Sequence, residues 1–363
     1  MGCSAGRPPK RRLSGRPLSC RVARGASIPP TALWVDGDGR LTAVLVTGGA
    51  GYIGSHTCKA LAGSGFRPIA YDNLCRGAAE AVRWGPLEVG ALSDVARLRE
   101  VIDRYRPVGV IHFAAYAYVG ESTSDPGLYY DNNVVGTLRL LQTMRATGLD
   151  LMVFSSSCAT YGIPKSVPIT EDEPLQPISP YGASKLMSER MIEDFGRAHG
   201  LRWMALRYFN VAGASQDAEI GEAHEPEPHL VPRALMAAAG ELEFLEVMGT
   251  DYPTPDGTAI RDYIHVVDLA DAHVLALRRL LDGAPSGAVN LGAGRGCSVR
   301  EVVHAVEQVT GATVPVKAVG RRPGDPPVLV ADTAKAAREL HFSAKRSAIL
   351  EIVESAWRWH RRN

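Results

Sequence analysis

Tyr181 and Lys185 stand four residues apart in the segment Tyr181-Gly-Ala-Ser-Lys185, a spacing that can produce a base. Four residues are about one helical turn, so in a helix both side chains leave the same face. A helix is predicted because Ser179 suits the N-cap, Pro180 suits the first helical position and no breaker follows. A nearby ammonium stabilises tyrosinate, although lowering the phenol pKa from ~10 to about 7 takes roughly 4 kcal/mol. The pair predicts a base that removes a proton from a sugar or alcohol hydroxyl.

The same spacing occurs a second time, between Tyr161 and Lys165. Pro164 cannot lie inside a helix without losing a hydrogen bond, and Gly162 weakens the helix further. We therefore predict that this second pair lies in a loop.

A glycine-rich loop precedes the pair and is typical of phosphate binding. Residues 41–46 form an apolar, strand-like run, and 55–62 are helix-like. Between them Gly48, Gly51 and Gly54 allow a tight turn, a close approach to a pyrophosphate and close packing of helix on strand. The helix N-terminus then faces the negative charge.

Two polar side chains end further predicted strands. Asp72 follows the strand-like run 67–71, where a carboxylate can bind both ribose hydroxyls of NAD and repel the extra phosphate of NADP. Ser157 lies just beyond the apolar run 149–154, at the edge where open α/β sheets bind ligands. Ser157 could donate to the same substrate oxygen that Tyr181 deprotonates.

Composition excludes several classes of function. The 363 residues carry 40 basic and 39 acidic side chains, which argues against general nucleic-acid or membrane-surface binding. The six cysteines have no metal-type or paired spacing, so we expect reduced thiols, no metal site and a cytoplasmic enzyme. No apolar run approaches the roughly 20 residues that span a bilayer.

The chain divides into three predicted parts. Residues 1–40 are expected to be a disordered basic extension, either a targeting leader or translation from upstream of the true start. Strand-like and helix-like runs alternate over 41–212, which predicts an NAD-binding, doubly wound parallel sheet of the Rossmann type. Residues 213–363 are predicted to form a smaller, interleaved α/β substrate domain with segments returning to the first. A polar loop is expected over 214–228, and helices are expected over 230–239, 266–281 and 299–309.

Together these motifs resemble the extended short-chain dehydrogenase/reductase superfamily and, within it, the UDP-glucose (UDP-galactose) 4-epimerases. The resemblance runs from about residue 41 to 360. It is carried by Val46-Thr-Gly-Gly-Ala-Gly-Tyr-Ile-Gly54, Tyr71-Asp-Asn-Leu74, Tyr129-Tyr-Asp-Asn-Asn133, Phe154-Ser-Ser-Ser157, Ser179-Pro-Tyr-Gly-Ala-Ser-Lys185, Leu206-Arg-Tyr-Phe-Asn210, Thr250-Asp-Tyr-Pro-Thr-Pro-Asp-Gly257, Arg261-Asp-Tyr-Ile-His265 and Asn290-Leu-Gly-Ala-Gly294.

The resemblance implies a role for each matching position. Tyr181 would be the base, and Ser157 would bind the sugar hydroxyl. Lys185 would hold the nicotinamide ribose and, together with the positive ring of the oxidised nicotinamide, lower the pKa of the tyrosine. The implied NAD contacts are Gly48, Gly51, Tyr52, Ile53, Gly54, Asp72, Asn73, Phe113, Ala114, Asn132, Ser157, Tyr181, Lys185 and Phe209. The implied contacts to a UDP-sugar are Ser157, Tyr181, Asn210, His229, Leu230, Val247, Met248, Arg261, Arg322, Asp325 and Leu329.

Some positions depart from the pattern that the resemblance implies. Ala91 replaces an adenine-binding Asp, and Ala117 replaces a lysine near the cofactor phosphates. His229 and Met248 stand where Asn and Phe are common. Leu329 is smaller than the Tyr of some members, which leaves a UDP-N-acetylhexosamine or a UDP-pentose (xylose or arabinose) open as the substrate.

The implied activity is inversion at C4 of a UDP-hexose through a 4-keto intermediate, with NAD retained, and the implied assembly is a homodimer. A dehydratase or decarboxylase on the same fold is disfavoured, because Cys158 and Ala159 follow Ser157 where elimination needs carboxyl groups. The sequence also leaves open a one-way reductase and a catalytically silent NAD-binding scaffold.

Overall fold

A large parallel sheet organises the chain. The computed structural model describes Gly39, residues 41–322 and residues 324–362; apart from Gly39, the predicted basic extension lies outside the described residues. The strands are β1 (Ala43–Thr47), β2 (Arg67–Asp72), β3 (Leu87–Val89), β4 (Val110–His112), β5 (Leu151–Ser157), β6 (Arg202–Tyr208), β7 (Asn210–Ala212), β8 (Leu245–Met248), β9 (Ile260–His265), β10 (Gly287–Leu291), β11 (Gly296–Ser298), β12 (Val316–Val319) and β13 (Val328–Leu329).

The helices alternate with these strands in the first half of the chain. Short 3₁₀ turns cover Ala79–Ala81 and Cys158–Thr160, and π-helical segments cover Tyr130–Val135 and Ala336–Leu340. The α-helices are α1 (Tyr52–Gly63), α2 (Val95–Tyr105), α3 (Val119–Ser124), α4 (Pro126–Tyr129), α5 (Gly136–Thr147), α6 (Pro180–His199), α7 (Leu230–Ala238), α8 (Val266–Leu281), α9 (Val299–Thr310) and α10 (Ile349–His360).

The large sheet has seven strands in the order β10-β6-β5-β4-β1-β2-β3, and every neighbouring pair is parallel. After β1 the chain builds the sheet towards β3, and from β4 it builds in the opposite direction. This reversal between β1 and β4 is the topological switch point of a doubly wound sheet. The predicted fold class is confirmed.

Helices cover both faces of this sheet, which is why its strands are apolar throughout. On one face α1 and α8 contribute buried side chains such as Leu61 and Leu277. On the other face α2, α5 and α6 contribute Leu98, Leu140 and Ile192. The sheet is thereby held between two apolar layers.

The later residues form a smaller part with its own core. Strands β11, β9 and β13 form a sheet to which β7 adds by pairing with β9, and β8 pairs with β12. Helices α7, α9 and α10 pack together through Val231, Val302 and Ile352. Strand β10 belongs instead to the large sheet, so the chain returns there after building part of the smaller region.

Most of the predicted elements occur, with shifted ends. Helix α8 has the predicted bounds, while α7 and α9 differ from prediction by one residue at their C-terminal ends. No helix or strand lies in residues 213–229, all of which are described, as expected for the polar loop. Strand β4 is shorter than the apolar run 108–115, because Phe113 and Ala114 turn to donate their N–H groups to the Thr47 carbonyl.

Within the described ranges, we find no helix that is both long and apolar enough to cross a membrane.

Asp262 on β9 ties the smaller sheet to the end of β10. Its carboxylate accepts backbone N–H groups from Ala293 (2.7 Å), Gly294 (3.0 Å) and Ala331 (3.1 Å), and it is fully buried. A Cβ on Gly292 would lie 2.4 Å from the same carboxylate, so glycine is required there. Burial raises the pKa of Asp262, and the three donors oppose that rise.

Replacing Asp262 with Asn should destabilise the protein by about 2 kcal/mol or more, because an amide nitrogen cannot accept and at least one buried N–H loses its partner. Urea unfolding measures the change. Asp103→Asn on the exposed face of α2 is the matched control and should change stability by under about 0.5 kcal/mol. Equal unfolding midpoints for the two variants would show that the carboxylate does not tie these segments.

Candidate active site

A cavity of about 560 Å³ opens at the carboxyl edge of the large sheet, beside the switch point between β1 and β4. Parallel sheets bind ligands at this position. Every residue predicted to contact the cofactor lines the cavity: Gly48, Gly51, Tyr52, Ile53, Gly54, Asp72, Asn73, Phe113, Ala114, Asn132, Ser157, Tyr181, Lys185 and Phe209.

The three glycines of the loop after β1 differ in what they make room for. A Cβ on Gly48 would lie 2.6 Å from the Ala114 nitrogen, and one on Gly54 would lie 2.1 Å from the Gly48 carbonyl oxygen. Gly48 also has φ +73°. A Cβ on Gly51 would meet only the Gly48 oxygen, at 3.3 Å, so the fold restricts that position less than it restricts Gly48 and Gly54. Gly48 and Gly54 serve the turn itself, whereas Gly51 leaves space on the cavity side.

Helix α1 begins at this loop with its N-terminus free for an anion. Its N-cap is Gly51, no side chain caps it, and no acidic residue lies in its first turn. The first N–H groups of a helix lack intrahelical acceptors, and the helix dipole adds positive potential there. Together with the close backbone approach at Gly51, this arrangement fits a dinucleotide pyrophosphate.

Asp72 lies at the end of β2, largely buried at the cavity wall. One carboxylate oxygen accepts from the Ala50 nitrogen at 3.0 Å, and the other accepts from the Leu74 nitrogen at 2.8 Å. These bonds fix the carboxylate against the glycine loop. Each oxygen keeps a further lone pair, which suits acceptance from ribose hydroxyls.

Tyr181 and Ser157 meet at the cavity wall. Ser179 caps α6 by accepting from the Gly182 nitrogen at 3.1 Å, and Tyr181 follows in the first turn of that helix. Ser157 ends β5, and its hydrogen bonding to the phenol lowers the pKa of Tyr181. Burial has a larger effect than this hydrogen bond, so the pKa of Tyr181 lies well above its usual value.

The sequence predicts that Lys185 and the positive ring of an oxidised nicotinamide together lower the tyrosine pKa, whereas in the protein alone burial raises it. The Lys185 nitrogen is 5.9 Å from the centre of the Tyr181 ring, and its hydrogen bond goes to the Ser155 carbonyl oxygen at 2.8 Å. Burial also lowers the pKa of Lys185 to about 7, against the opposing charge of Glu189. In the protein alone the buried phenol therefore stays neutral, and further positive charge in the cavity is what would favour its anion.

Glu189 anchors the helix that carries this pair. It lies one turn beyond Lys185, is buried, and binds Arg207 of β6 in a bidentate pair with N···O distances of 3.0 and 2.6 Å. The Ser156 hydroxyl also donates to it. Two strands of the sheet thus hold the face of α6 that carries the candidate base.

The second tyrosine–lysine pair lies outside helix, as predicted. The buried Tyr161 phenol donates to Asn290 at 2.7 Å and accepts from Arg207 at 3.1 Å. Lys165 is exposed, and its backbone nitrogen donates to Glu173. This pair serves packing and loop structure.

The opposite wall carries most of the residues predicted to hold the UDP-sugar. Arg261 is largely buried and pairs with Asp325 at 2.5 Å, so the carboxylate predicted to accept from a ribose hydroxyl also orients this guanidinium. The predicted residues that line this wall are Asn210, His229, Leu230, Arg261, Arg322, Asp325 and Leu329.

Val247 and Met248, also predicted to hold the UDP-sugar, do not line the cavity. Val247 is buried in β8, where it pairs with Ala318 of β12. The Met248 sulfur contacts the Arg322 side chain. Both residues therefore lie behind the cavity wall, and Met248 contacts Arg322, which lines the cavity.

Sequence reasoning missed several wall residues. Arg76 lines the cavity near Ala117 and lies over the rings of Tyr116 (5.5 Å) and Tyr118 (5.1 Å). Arg76 places a cation beside Ala117, where a lysine was expected. Its position in the sequence, four residues after Asp72, could have indicated that it lies near the cofactor. Ala91 also lines the cavity and offers no side-chain polar group.

A model of the NAD dependent epimerase/dehydratase family matches residues 44–292, which contain the whole site up to Arg261. The chain belongs to this family. Relatives of the chain are named UDP-glucose 4-epimerase, which confirms the resemblance described from the sequence. One from Rhizobium meliloti (strain 1021) is 51% identical over 319 residues, 88% of this chain and 97% of that relative.

Solved structures give the same result. UDP-glucose 4-epimerase from Brucella ovis, in complex with NAD, is 56% identical with a TM-score of 0.86, over 87% of this chain and 98% of that one. The enzyme from Stenotrophomonas maltophila, with bound NAD and formylated UDP-arabinopyranose, is 40% identical with a TM-score of 0.86, over 88% and 98%. The predicted cofactor, NAD, is thereby supported.

Gly51→Ala and Gly54→Ala should separate cofactor binding from folding. We expect Gly51→Ala to lose less stability without cofactor than Gly54→Ala, since its Cβ would lie 3.3 Å and not 2.1 Å from the Gly48 oxygen, but to bind NAD at least tenfold more weakly, because the Cβ occupies the approach to the pyrophosphate. Gly54→Ala should lose about 2 kcal/mol or more of stability, because a backbone oxygen cannot move aside. Urea unfolding and NAD titration measure both. Unaltered NAD affinity in Gly51→Ala would contradict this assignment.

Proposed function

We propose that this protein is a UDP-glucose 4-epimerase that interconverts UDP-glucose and UDP-galactose with NAD. The main support for this proposal is the position of Tyr181. It lies with Ser157 and Lys185 on one cavity wall, between the glycine loop of β1 and the Arg261–Asp325 pair opposite. Relatives 45–51% identical over most of the chain are named for this activity.

The cavity residues fit NAD. The Gly51 approach and the free N-terminus of α1 suit its pyrophosphate, and Asp72 suits a ribose without a 2′-phosphate. When bound, NAD supplies the acceptor and donor of the hydride exchanged at C4 of the sugar, and its oxidised nicotinamide ring adds positive charge.

Tyr181 takes the proton of the 4-hydroxyl during oxidation and returns it during reduction. Ser157 donates to the same sugar oxygen and keeps it within reach of the phenol. Burial raises the pKa of Tyr181. The ammonium of Lys185 counteracts this effect, since a cation favours the anionic phenolate. The 4-keto sugar must then present its other face, so these residues bind the reacting oxygen in two orientations.

The nucleotide end of the substrate stays fixed while the sugar turns. Arg261 and Arg322 offer planar guanidinium donors that match diphosphate oxygens. Asp325 accepts from a ribose hydroxyl while it orients Arg261. Substrate binding is therefore concentrated away from the reacting carbon, which leaves the sugar free to rotate.

A dehydratase, a different UDP-sugar substrate and a one-way reductase are less well supported. Burial raises the pKa of Cys158 to about 12, so the residue after Ser157 cannot replace the carboxyl group that a dehydratase needs. Relatives named for UDP-glucose do not favour a UDP-N-acetylhexosamine or UDP-pentose as the main substrate. A one-way reductase would accumulate oxidised or reduced cofactor in proportion to product, whereas the proposed reaction would not.

The assembly, location and domain limits predicted from the sequence also stay proposals. We propose a cytoplasmic homodimer, with domains at 41–212 and 213–363. The exposed apolar side chains Tyr130, Val135 and Met187 lie on adjoining helical segments and offer surface that a second copy could cover.

Tyr181→Phe should lower the rate of UDP-galactose conversion by at least about 100-fold, because the general base is lost. A coupled assay for UDP-glucose measures the rate, and mass spectrometry of the nucleotide released on denaturation checks that NAD remains bound. Tyr130→Phe on the exposed helical surface is the control and should retain activity. A Tyr181→Phe enzyme with near wild-type turnover would eliminate the proposed base.

Lys185→Met should reduce turnover at pH 7 by at least about tenfold and by less at pH 9. Loss of the cation raises the pKa of Tyr181 further, so forming the phenolate requires a higher pH. The pH profile of turnover measures this shift. Lys165→Met, at the exposed lysine of the loop pair, should keep the wild-type profile. A Lys185→Met profile that falls evenly at every pH would count against the electrostatic role.

A further inference from the structure

Four side chains on the polar loop before α7 converge on one point. Glu222, His224, Glu227 and His229 each bring one carboxylate oxygen or ring nitrogen to this point, and all these atoms lie within 4.8 Å of one another. The cysteine spacing predicts no metal site, but that prediction does not consider the run Glu-x-His-x-x-Glu-x-His of these four residues.

The distances around His224 fit a shared metal ion better than hydrogen bonds. Its Nδ1 lies 3.4 Å from Glu222 and 3.4 Å from Glu227, is buried, and has no hydrogen-bond partner among the described residues. Hydrogen bonds from nitrogen to oxygen are usually about 2.9 Å long. Ligands placed about 2.05 Å from a tetrahedral zinc ion are separated by about 3.3 Å.

His229 faces the same two carboxylates from the other side. Its Nδ1 lies 2.8 Å from a carboxylate oxygen of Glu222 and 2.8 Å from one of Glu227, and the second contact is a hydrogen bond that a bound ion would replace. Two imidazole nitrogens and two carboxylates therefore meet at one point. This ligand set favours zinc, since magnesium and calcium prefer oxygen ligands alone.

The burial of the carboxylates calls for positive charge at this point. The side chains of Glu222 and Glu227 are only 5% and 8% exposed. Burial alone would lower the pKa of His224, but the two carboxylates raise it to about 9. Either protonated imidazoles or a divalent cation can balance the pair. The 2.8 Å distances of His229 also suit an imidazole hydrogen bond, whereas the 3.4 Å distances of His224 favour the cation.

The surrounding contacts hold this loop in place. The Tyr52 phenol donates to the Gly213 carbonyl at 2.5 Å, and its ring meets His224 edge-on with centroids 6.3 Å apart. Trp359 of α10 donates to the Glu222 carbonyl at 3.1 Å, and a Cβ on Gly221 would overlap its ring. The converging side chains thus lie between α1 and α10, at the cavity wall.

We propose that Glu222, His224, Glu227 and His229 bind one zinc ion that fixes the loop from 213 to 229 as part of the substrate wall. The ion is structural, because all four ligands come from the protein and tetrahedral coordination leaves no open position. Its binding joins the loop to His229, the N-cap of α7, beside Leu230, which lines the cavity.

The test uses the full chain without a polyhistidine tag, treated with a chelator and then titrated with zinc chloride. We expect binding of one equivalent per chain by calorimetry and a thermal midpoint several degrees higher with zinc than with chelator. Magnesium and calcium chloride at the same concentrations should have no such effect. Stabilisation by magnesium or calcium but not zinc would overturn the proposal.

His224→Gln and Glu227→Gln should each weaken zinc binding at least tenfold and remove most of the zinc-dependent rise in the thermal midpoint. His199→Gln and Glu243→Gln, at exposed positions outside the loop, are the matched controls and should bind zinc as the wild type does. A wild-type chain that binds less than a tenth of an equivalent would show that the cluster is an ion-pair network only. Neither readout uses turnover, so the result is independent of the proposed activity.

Discussion

The buried ammonium of Lys185 is the constraint on which the rest of the site depends. The side chain is 3% exposed, and its charge is maintained by the Ser155 carbonyl and by Glu189, one turn further along α6. Desolvation works against the charge, since it lowers the pKa of Lys185 to about 7. Glu189 cannot move closer, because Arg207 and Ser156 hold its carboxylate. The lysine is therefore held near the point at which it can gain or lose a proton.

This constraint sets the position of α6 on the sheet and hence that of Tyr181. Lys185 binds Ser155 of β5, and Glu189 binds Arg207 of β6. These contacts align α6 with the strands that end at Ser157 and Tyr208. A shift of α6 by one residue would rotate its side chains by about 100° and separate the phenol from Ser157. The buried charges thus cost free energy but specify one alignment of helix and sheet.

Much of the fold and part of the site could be predicted because their signals are local. The cap at Ser179, the glycine loop and Asp72 each depend on residues within one strand–turn–helix unit, and all occur at the cavity. Val247 and Met248 could not be placed, since the pairing of β8 with β12 joins segments about 70 residues apart. The sequence also does not show that burial raises the pKa of Tyr181 in the protein alone, because desolvation depends on packing from several elements.

The polar loop before α7 shows why composition alone misjudges such segments. The sequence predicts a polar loop there, yet the side chains of Glu222 and Glu227 are only 5% and 8% exposed. Buried carboxylates are tolerated only when positive charge or hydrogen bonds offset their desolvation. Here two histidines of the same loop face the two carboxylates, and the loop packs against Tyr52 and Trp359. The cavity wall beside Leu230 therefore depends on the charge balance inside the loop. The shape of the nucleotide site is thus coupled to the folding of this loop.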